Sequence, residues 1–376
     1  MATPAAATVR ALARLGKRGG RLRLPAIPRF QHNHQHSGGS SSKLFGAAAA
    51  PIGAALVGLG IHSQQQEQVK TRPQCRAALV SPNFSDSIAL RYSIHGECLG
   101  GGNYGSVFKA VDQATGELVA VKRVPKSKSS EAAIQDETSI LQATAHKNII
   151  QLRAVGGDQS SWYIVMELAR GVELYDRLVT RGMLSQAQSS ALLKQLLDAL
   201  VYLHRCGITH GDIKPENIIV NDDDDSNGGL TVKLADFGSA FRTRAGVPRR
   251  KDYTTTAAYS PPEVVSGAAA ATEAADVFSL GVVAYILLTG RHPFDPSGDA
   301  SEEDVLARIV SDEPDFSDAA WGDVDAAARD LVRRALSKAP SARPTASAML
   351  AHPWVQQQRT APSPAAAVAE AHAAAA

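Results

Sequence analysis

A chain of 376 residues, 44% apolar and 20% charged, has the composition of a globular protein able to bury a sizeable core. Its net charge of +2 excludes a generalised nucleic-acid binder, because no broad excess of Lys and Arg faces a polyanion. Cys75, Cys98 and Cys206 are odd in number and form no CxxC pair, which excludes a zinc site and predicts no disulfide framework.

Residues 1–66 contain no Asp or Glu but carry Arg10, Arg14, Lys17, Arg18, Arg21, Arg23, Arg29 and Lys43. In TVRALARLGKRGGRLRL (8–24), Val9, Leu12 and Leu15 recur near helical spacing, with the arginines mostly between them. Such a segment predicts an organelle transit peptide, since a secretory signal would open on an apolar run. Thr3 and Thr8 are the only hydroxyl residues before Ser37, which places a mitochondrion ahead of a chloroplast. The competing reading is a disordered basic tail, which would leave the chain in the cytoplasm. LFGAAAAPIGAALVGLGI (44–61) is uncharged and is read either as a membrane anchor or, given Pro51 and its Ala and Gly content, as a linker. Residues 67–89 read as a linker.

From residue 90 to 355 charges are interspersed with apolar periodicity, as in a folded domain, and residues 356–376 form a low-complexity tail. ECLGGGNYGSVFKAVDQATGELVAVKRV (97–124) reads as two short strands around a glycine turn. Gly100, Gly102 and Gly105 give GxGxxG, in which bare backbone approaches a polyphosphate closely. A dinucleotide-binding loop would match as well, but Ser106-Val107-Phe108 continues as a strand rather than a helix. Some twenty residues on stands Lys122, not a ribose-binding acid. A lysine ending an apolar strand needs a partner if buried, and Glu137 is the candidate, on a helix one turn before Leu141. The clearest helix is SQAQSSALLKQLLDALVYLHRCG (185–207): Ser185 caps it, Leu193, Leu196, Leu200 and Leu203 share a face, and Gly207 stops it.

THGDIKPENIIV (209–220) then concentrates chemistry in one loop. Asp212 would accept the proton of an attacking hydroxyl, Lys214 would balance charge on a moving phosphoryl group, and Asn217 offers an amide oxygen to a hard divalent cation. Asp236, after the apolar strand of VKLADFGSA (232–240), completes with Asn217 a two-ligand clamp for Mg2+ carrying nucleotide phosphates. Between these lies NDDDDSNGG (221–229), read as a solvated acidic turn. A calcium loop would need a bidentate Glu where Leu234 stands, so no direct calcium binding is expected.

With LGGGNYGSV, VAVK, Glu137, HGDIKPEN, DFG, SPPE (260–263), DVFSLGVVAYILLTGRHPF (276–294) and RPTASAMLAHPWV (343–355), the chain resembles a eukaryotic protein kinase over Tyr92 to Val355. It is most similar to the Ser/Thr kinases of the calcium/calmodulin-dependent group. The resemblance implies an α+β, bilobal fold with a small β-rich N-lobe, a larger helical C-lobe and ATP in the cleft between them. It implies a nucleotide site formed by Leu99, Gly100, Gly101, Gly102, Asn103, Gly105, Val107, Ala120 and Lys122. A gatekeeper Met166, hinge residues Glu167 to Ala169, and Glu173 complete that site. It further implies a Glu263–Arg343 ion pair, anchoring of the catalytic loop by Asp276, and Thr256 helping to hold Asp212 and Lys214. Glu173 and Glu216 match acidic positions that favour a basic residue upstream of the target Ser or Thr.

Three departures are mild: Phe278 for Trp, Pro261 for Ala, and Val172 for a second Gly. Gly211 departs more, standing where most members carry an arginine that reads a phosphate on the activation loop. Activity that does not depend on phosphorylating Thr254 or Thr255 is therefore expected. Two other functions compete with an active protein kinase. A silent pseudokinase scaffold would usually lack Lys122, Asp212 or Asp236, and all three are present. A small-molecule phosphotransferase would not need the peptide-docking platform that SPPE and the residues before it match.

Overall fold

The computed structural model describes residues 88–102, 105–222, 230–243 and 257–356. The predicted transit segment, the 44–61 stretch, Asn103, residues 223–229 of the acidic turn, Thr254 to Thr256 and residues 357–376 of the tail lie outside the described residues. Among the described residues, no helix is long and apolar enough to cross a membrane.

A short helix, α1 (Ile88–Arg91), leads into a five-stranded antiparallel sheet: β1 (Tyr92–Gly102), β2 (Gly105–Asp112), β3 (Leu118–Pro125), β4 (Leu152–Gly157) and β5 (Ser161–Glu167), in the order β1-β2-β3-β5-β4. The segment read as two short strands therefore carries three, because Asp112 and Glu117 close a second turn through Asp112 N–H to Glu117 O, 2.9 Å. Strand periodicity explains how one sheet serves two purposes. On β3, Val119 and Val121 pack with Tyr92, Ala110 and Val165 on one face. Ala120 and Lys122 point to the other. The register sets Lys122 opposite Val107 and Ile164, and Ala120 opposite Lys109 and Met166. Val107, Ala120, Lys122 and Met166 thus share a single face of the sheet.

Helix α2 (Glu131–Ala143) interrupts the sheet between β3 and β4, capped by Ser130 Oγ accepting from Ala133 N. After β5 come a two-residue strand β6 (Val172–Glu173), helix α3 (Leu174–Arg181) and helix α4 (Gln186–Arg205). At α4 the expected cap is found: Ser185 Oγ accepts from Gln188 N while Gln188 returns a side-chain bond to Ser185 N, a complete capping box. Leu193, Leu196, Leu200 and Leu203 are all buried, and Gly207 takes a positive φ of 67° just past the end.

Strands β7 (Ile208–Thr209), β8 (Ile218–Asn221), β9 (Thr231–Leu234) and β10 (Phe241–Arg242) form two small sheets, β10-β7 and β6-β8-β9. The rest is helical: α5 (Pro262–Val265), α6 (Glu273–Thr289), α7 (Glu302–Ser311), α8 (Ala326–Ala335), α9 (Ala346–Leu350) and α10 (Pro353–Gln356). Every residue of α6 from Ala275 to Leu287 is buried. A helix apolar all round belongs in the centre of a fold, and this one packs against α4 and α8. The chain is thus an α+β fold of a β-rich lobe followed by a helical one, as the resemblance implied.

Candidate active site

The face of β3 that carries Lys122 looks toward α2. Lys122 Nζ donates to Glu137 Oε1 at 2.8 Å and to Asp236 Oδ1 at 2.8 Å. Positions 15 and 114 residues away in the chain therefore meet on one ammonium. Burial works against the Lys122 charge, but Asp236 and Glu137 outweigh it and raise its pKa. Asp236 moves the opposite way, its pKa lowered chiefly by Lys122. Glu137 is raised by burial, with Lys122 opposing the shift. Of the two carboxylates, Asp236 is the one with an open side, its side chain 41% exposed against 8% for Glu137.

The backbone explains why α2 and β9 arrive together. The loop after α2 is bonded to β9 by Ile150 N–H to Leu234 O, 3.0 Å, and Leu234 N–H to Asn148 O, 2.8 Å. Asn148 Nδ2 adds a bond to Val232 O at 2.8 Å. Asp236 then follows β9 at a φ of 57°, among the described residues the one non-glycine in left-handed backbone. A conformation of that kind costs about 1–3 kcal/mol and persists only where surroundings enforce it. Here Lys122 and the Gly238 N–H, 3.3 Å away, both hold the Asp236 carboxylate.

The 208–217 loop forms a second cluster beside the first. Asp212 Oδ2 accepts from Lys214 Nζ at 2.7 Å and from Asn217 Nδ2 at 2.9 Å. Asn217 Nδ2 also donates to Asp212 O at 2.8 Å. With its NH2 group committed on that side, the Asn217 amide oxygen is left for a cation. Ala235 N–H donates to Asn217 O at 2.9 Å, and Ile218 pairs with Leu234, so Asn217 and Asp236 are brought side by side. Lys214 contributes to lowering the Asp236 pKa, which links the two clusters electrostatically.

Asp276, in the first turn of α6, holds this loop from below. Its carboxylate accepts from His210 N at 2.9 Å and Gly211 N at 2.8 Å, and His204 Nε2 stands 2.9 Å from the same group. His210 is buried and its tautomer is fixed by its partners. Asp212 N–H donates to His210 Nδ1 at 3.3 Å, so Nε2 carries the proton and donates to Ala235 O at 3.1 Å. Gly211 takes a φ of 77°, where a Cβ is strained, so glycine suits this turn for a backbone reason besides its lack of charge. No pattern in the sequence singled out His204 or His210 for these contacts.

On the nucleotide side, one glycine differs from two others. A Cβ on Gly105 would lie 2.1 Å from Arg123 O, so the sheet itself demands glycine there. At Gly100 and Gly101 the nearest groups, Glu173 Oε1 and Ser106 Oγ, lie at an ordinary 3.6 Å. Packing does not require glycine at those two positions, which fits a backbone left bare for a ligand. The same distance shows Glu173, at the start of α3, reaching toward the glycine strand. Glu167 spends its carboxylate on Lys233 Nζ, 2.6 Å, and Gln151 N, 2.9 Å, and its own N–H on Gln151 O, 2.9 Å. Leu99 is exposed on β1, Val107 lies opposite Lys122, Ala169 packs on the core, and Gly102 ends β1.

Further from the chemistry, Arg343 and Glu263 form a bidentate pair with both N···O distances 2.7 Å. The remaining three guanidinium protons go to Ser337 O, Ala274 O and Lys338 O, so all five donors are used. Phe278 stacks under Arg343 with its ring centre 5.0 Å from Cζ, so the phenylalanine keeps an aromatic face there.

Residues 93–355 match the family model of the protein kinase domain. Serine/threonine-protein kinase PKZ1 of Phytophthora infestans is 36% identical over 277 residues, covering 68% of this chain and 69% of that protein. Calcium/calmodulin-dependent protein kinase type 1 of Caenorhabditis briggsae is 34% identical over 279 residues, covering 73% and 75%. CDPK-related kinase 7 of Arabidopsis thaliana is 38% identical over 281 residues, covering 72% of this chain and 47% of that protein.

Proposed function

The chain belongs to the protein kinase family as a protein serine/threonine kinase, and from that premise we propose that it transfers the γ-phosphoryl group of ATP to Ser and Thr hydroxyls of proteins with the residues assembled above. Lys122, steadied by Glu137, holds the nucleotide phosphates, and the bare backbone of Gly100 and Gly101 covers them. Asp212 accepts the proton of the incoming hydroxyl, and Lys214, 2.7 Å from it, offsets charge on the phosphoryl group in transit. Asn217 and Asp236, an amide oxygen and a carboxylate, would hold Mg2+, which when bound neutralises phosphate charge. The observation that carries this reading is the Lys122 ammonium shared by Glu137 and Asp236 at 2.8 Å each. A scaffold without catalysis has no use for that arrangement together with an intact Asp212.

Transfer of radiolabelled phosphate to a basic protein substrate, with Asp212→Asn alongside, tests the proposal. Transfer by wild type that the variant abolishes supports it; nucleotide binding without any transfer supports the scaffold instead. Three finer parts of the reading follow. Because Gly211 supplies no cation, turnover is independent of Thr254 and Thr255 phosphorylation; collapse of activity in Thr254→Ala or Thr255→Ala would refute this. The acidic Glu173 and Glu216 favour a basic residue upstream of the target, which a peptide array reads directly. Residues 1–66 direct the chain to an organelle, a mitochondrion ahead of a chloroplast, with 44–61 able to hold it at a membrane. Imaging fluorescent fusions with 1–66 present or deleted decides that.

A further inference from the structure

The segment before SPPE, Ala257–Tyr259, is a single tight turn bonded, like the catalytic loop, to α6: Asp276 holds His210 and Gly211, and Ser279, one turn on, holds Tyr259. Burial raises the Tyr259 phenol pKa, and the charges of Glu216 and, more weakly, Asp212 add to that shift. Yet the turn is not fixed through that phenol. Among the described residues the Tyr259 hydroxyl has no hydrogen-bond partner. Two side chains hold the backbone of the turn instead. Ser279, on α6, donates from Oγ to Tyr259 O at 2.8 Å. His292, in the turn that follows α6, stands with Nε2 3.1 Å from Ala258 O, and its ring meets the Tyr259 ring edge-on at 5.7 Å.

The protonation of His292 is set by its surroundings. Phe294 N–H donates to Nδ1 at 3.3 Å, so the proton sits on Nε2 and is donated to the Ala258 carbonyl. The ring is buried, 3% exposed, and burial keeps it neutral, so this donor does not come and go near neutral pH. Ser279 sits on a buried helix and Tyr259 O is fixed by it. Ala258, one residue earlier and nearer the start of the turn, depends on His292.

We propose that His292 is a positioning residue for protein-substrate docking, holding the Ala257–Ser260 turn through its Nε2–H bond to Ala258 O so that a substrate chain lies correctly beside Asp212. The inference rests on the protein-kinase reading above. His292 touches neither nucleotide nor metal candidates, so its effect falls on the Michaelis constant for a peptide substrate and not on that for ATP.

Two substitutions separate the bond from the space it occupies. His292→Asn keeps an acceptor for the Phe294 N–H but is too short to reach Ala258 O, whereas His292→Gln places an amide N–H near the Nε2 position. Steady-state kinetics on the full chain, with a basic Ser peptide and ATP varied in turn, give the readout. His292→Asn is expected to raise the peptide KM about fivefold, the factor set by one lost hydrogen bond, with the ATP KM within twofold. His292→Gln is expected to stay within twofold of wild type for both. Thermal unfolding with and without nucleotide confirms that each variant is folded and binds. An unchanged peptide KM in folded His292→Asn, or equal rises in both variants, overturns the positioning role while leaving the kinase reading intact. Absence of transfer by wild type overturns the kinase reading, and this inference with it.

Discussion

Replacing Glu263 by Gln tests whether the buried pair behaves as its geometry requires. The Arg343 side chain is fully inaccessible and distributes five N–H groups over two carboxylate oxygens and three carbonyls. The glutamine keeps one acceptor but turns an NH2 toward a guanidinium that offers only donors, and it removes the counter-charge. Breaking a buried pair costs about 3–5 kcal/mol. The three retained carbonyls and the Phe278 ring put the loss near the lower end, about 3 kcal/mol, or a fall in Tm of roughly 6–12 °C for a domain of this size. Differential scanning calorimetry without nucleotide measures it, since a ligand bound only to the folded state would mask part of the loss. The same reasoning makes a second demand. Glu263→Leu leaves a bare buried cation, whereas Glu263→Leu with Arg343→Met leaves three unpartnered carbonyls and no charge. The double variant is therefore expected to be more stable than the single one by about 1–2 kcal/mol. A Tm shift under 2 °C for Glu263→Gln, or a double variant less stable than Glu263→Leu, would refute the account.

Three further outcomes are expected. Asp212→Asn lowers kcat by about 10²–10⁴-fold, the range of a lost general base, while the thermal shift produced by Mg-ATP persists because the Lys122 cluster is untouched. Gly211→Ala, at a φ of 77°, loses roughly 1 kcal/mol and 2–4 °C in Tm, checked by thermal unfolding. His292, whose pKa burial lowers to about 4 against the pull of Asp295, binds a proton in the unfolded chain before it does in the folded one. Its contribution is complete above the unfolded pKa of about 6.5 and is lost as pH falls toward 4. It should account for about 2 kcal/mol of stability lost between pH 7 and 4.5, and urea midpoints of His292→Gln at the two pH values should show that much less change.

What the sequence made legible was chemistry carried by local spacing. The interval from the glycine turn to Lys122, the run from Asp212 to Asn217 and the strand before Asp236 are short enough for order alone to suggest a phosphate site. Strand alternation then implied a face for Lys122, and the sheet register puts Val107, Ala120 and Met166 on that face with it. The supporting bonds were not legible, because they join distant positions through groups without a signature. His204 reaches Asp276 across 72 residues, and a histidine in the last turn of a helix reads as an ordinary surface end. Of the five Arg343 acceptors three are backbone carbonyls, which every residue has and no pattern marks. Gly211 was legible as a missing charge, while its left-handed φ required the backbone.

The common support for these groups is α6, a helix that contributes nothing to the proposed chemistry. Apolar burial on all sides fixes its position, and that rigidity is what makes its few polar groups useful. Asp276 would be costly to bury alone, yet two backbone N–H groups of the catalytic loop and one histidine satisfy it. The satisfaction runs in both directions: the carboxylate needs the loop in one conformation, and the loop, with Gly211 in left-handed backbone, needs the carboxylate. Ser279, one turn on, does the same for the Tyr259 carbonyl, and Ala274 O takes one of the Arg343 protons. Catalytic loop, docking turn and the buried ion pair are thus each bonded to a single helix. Their relative placement is set by helix geometry, at 1.5 Å of rise per residue, and not by the loops that carry the chemistry.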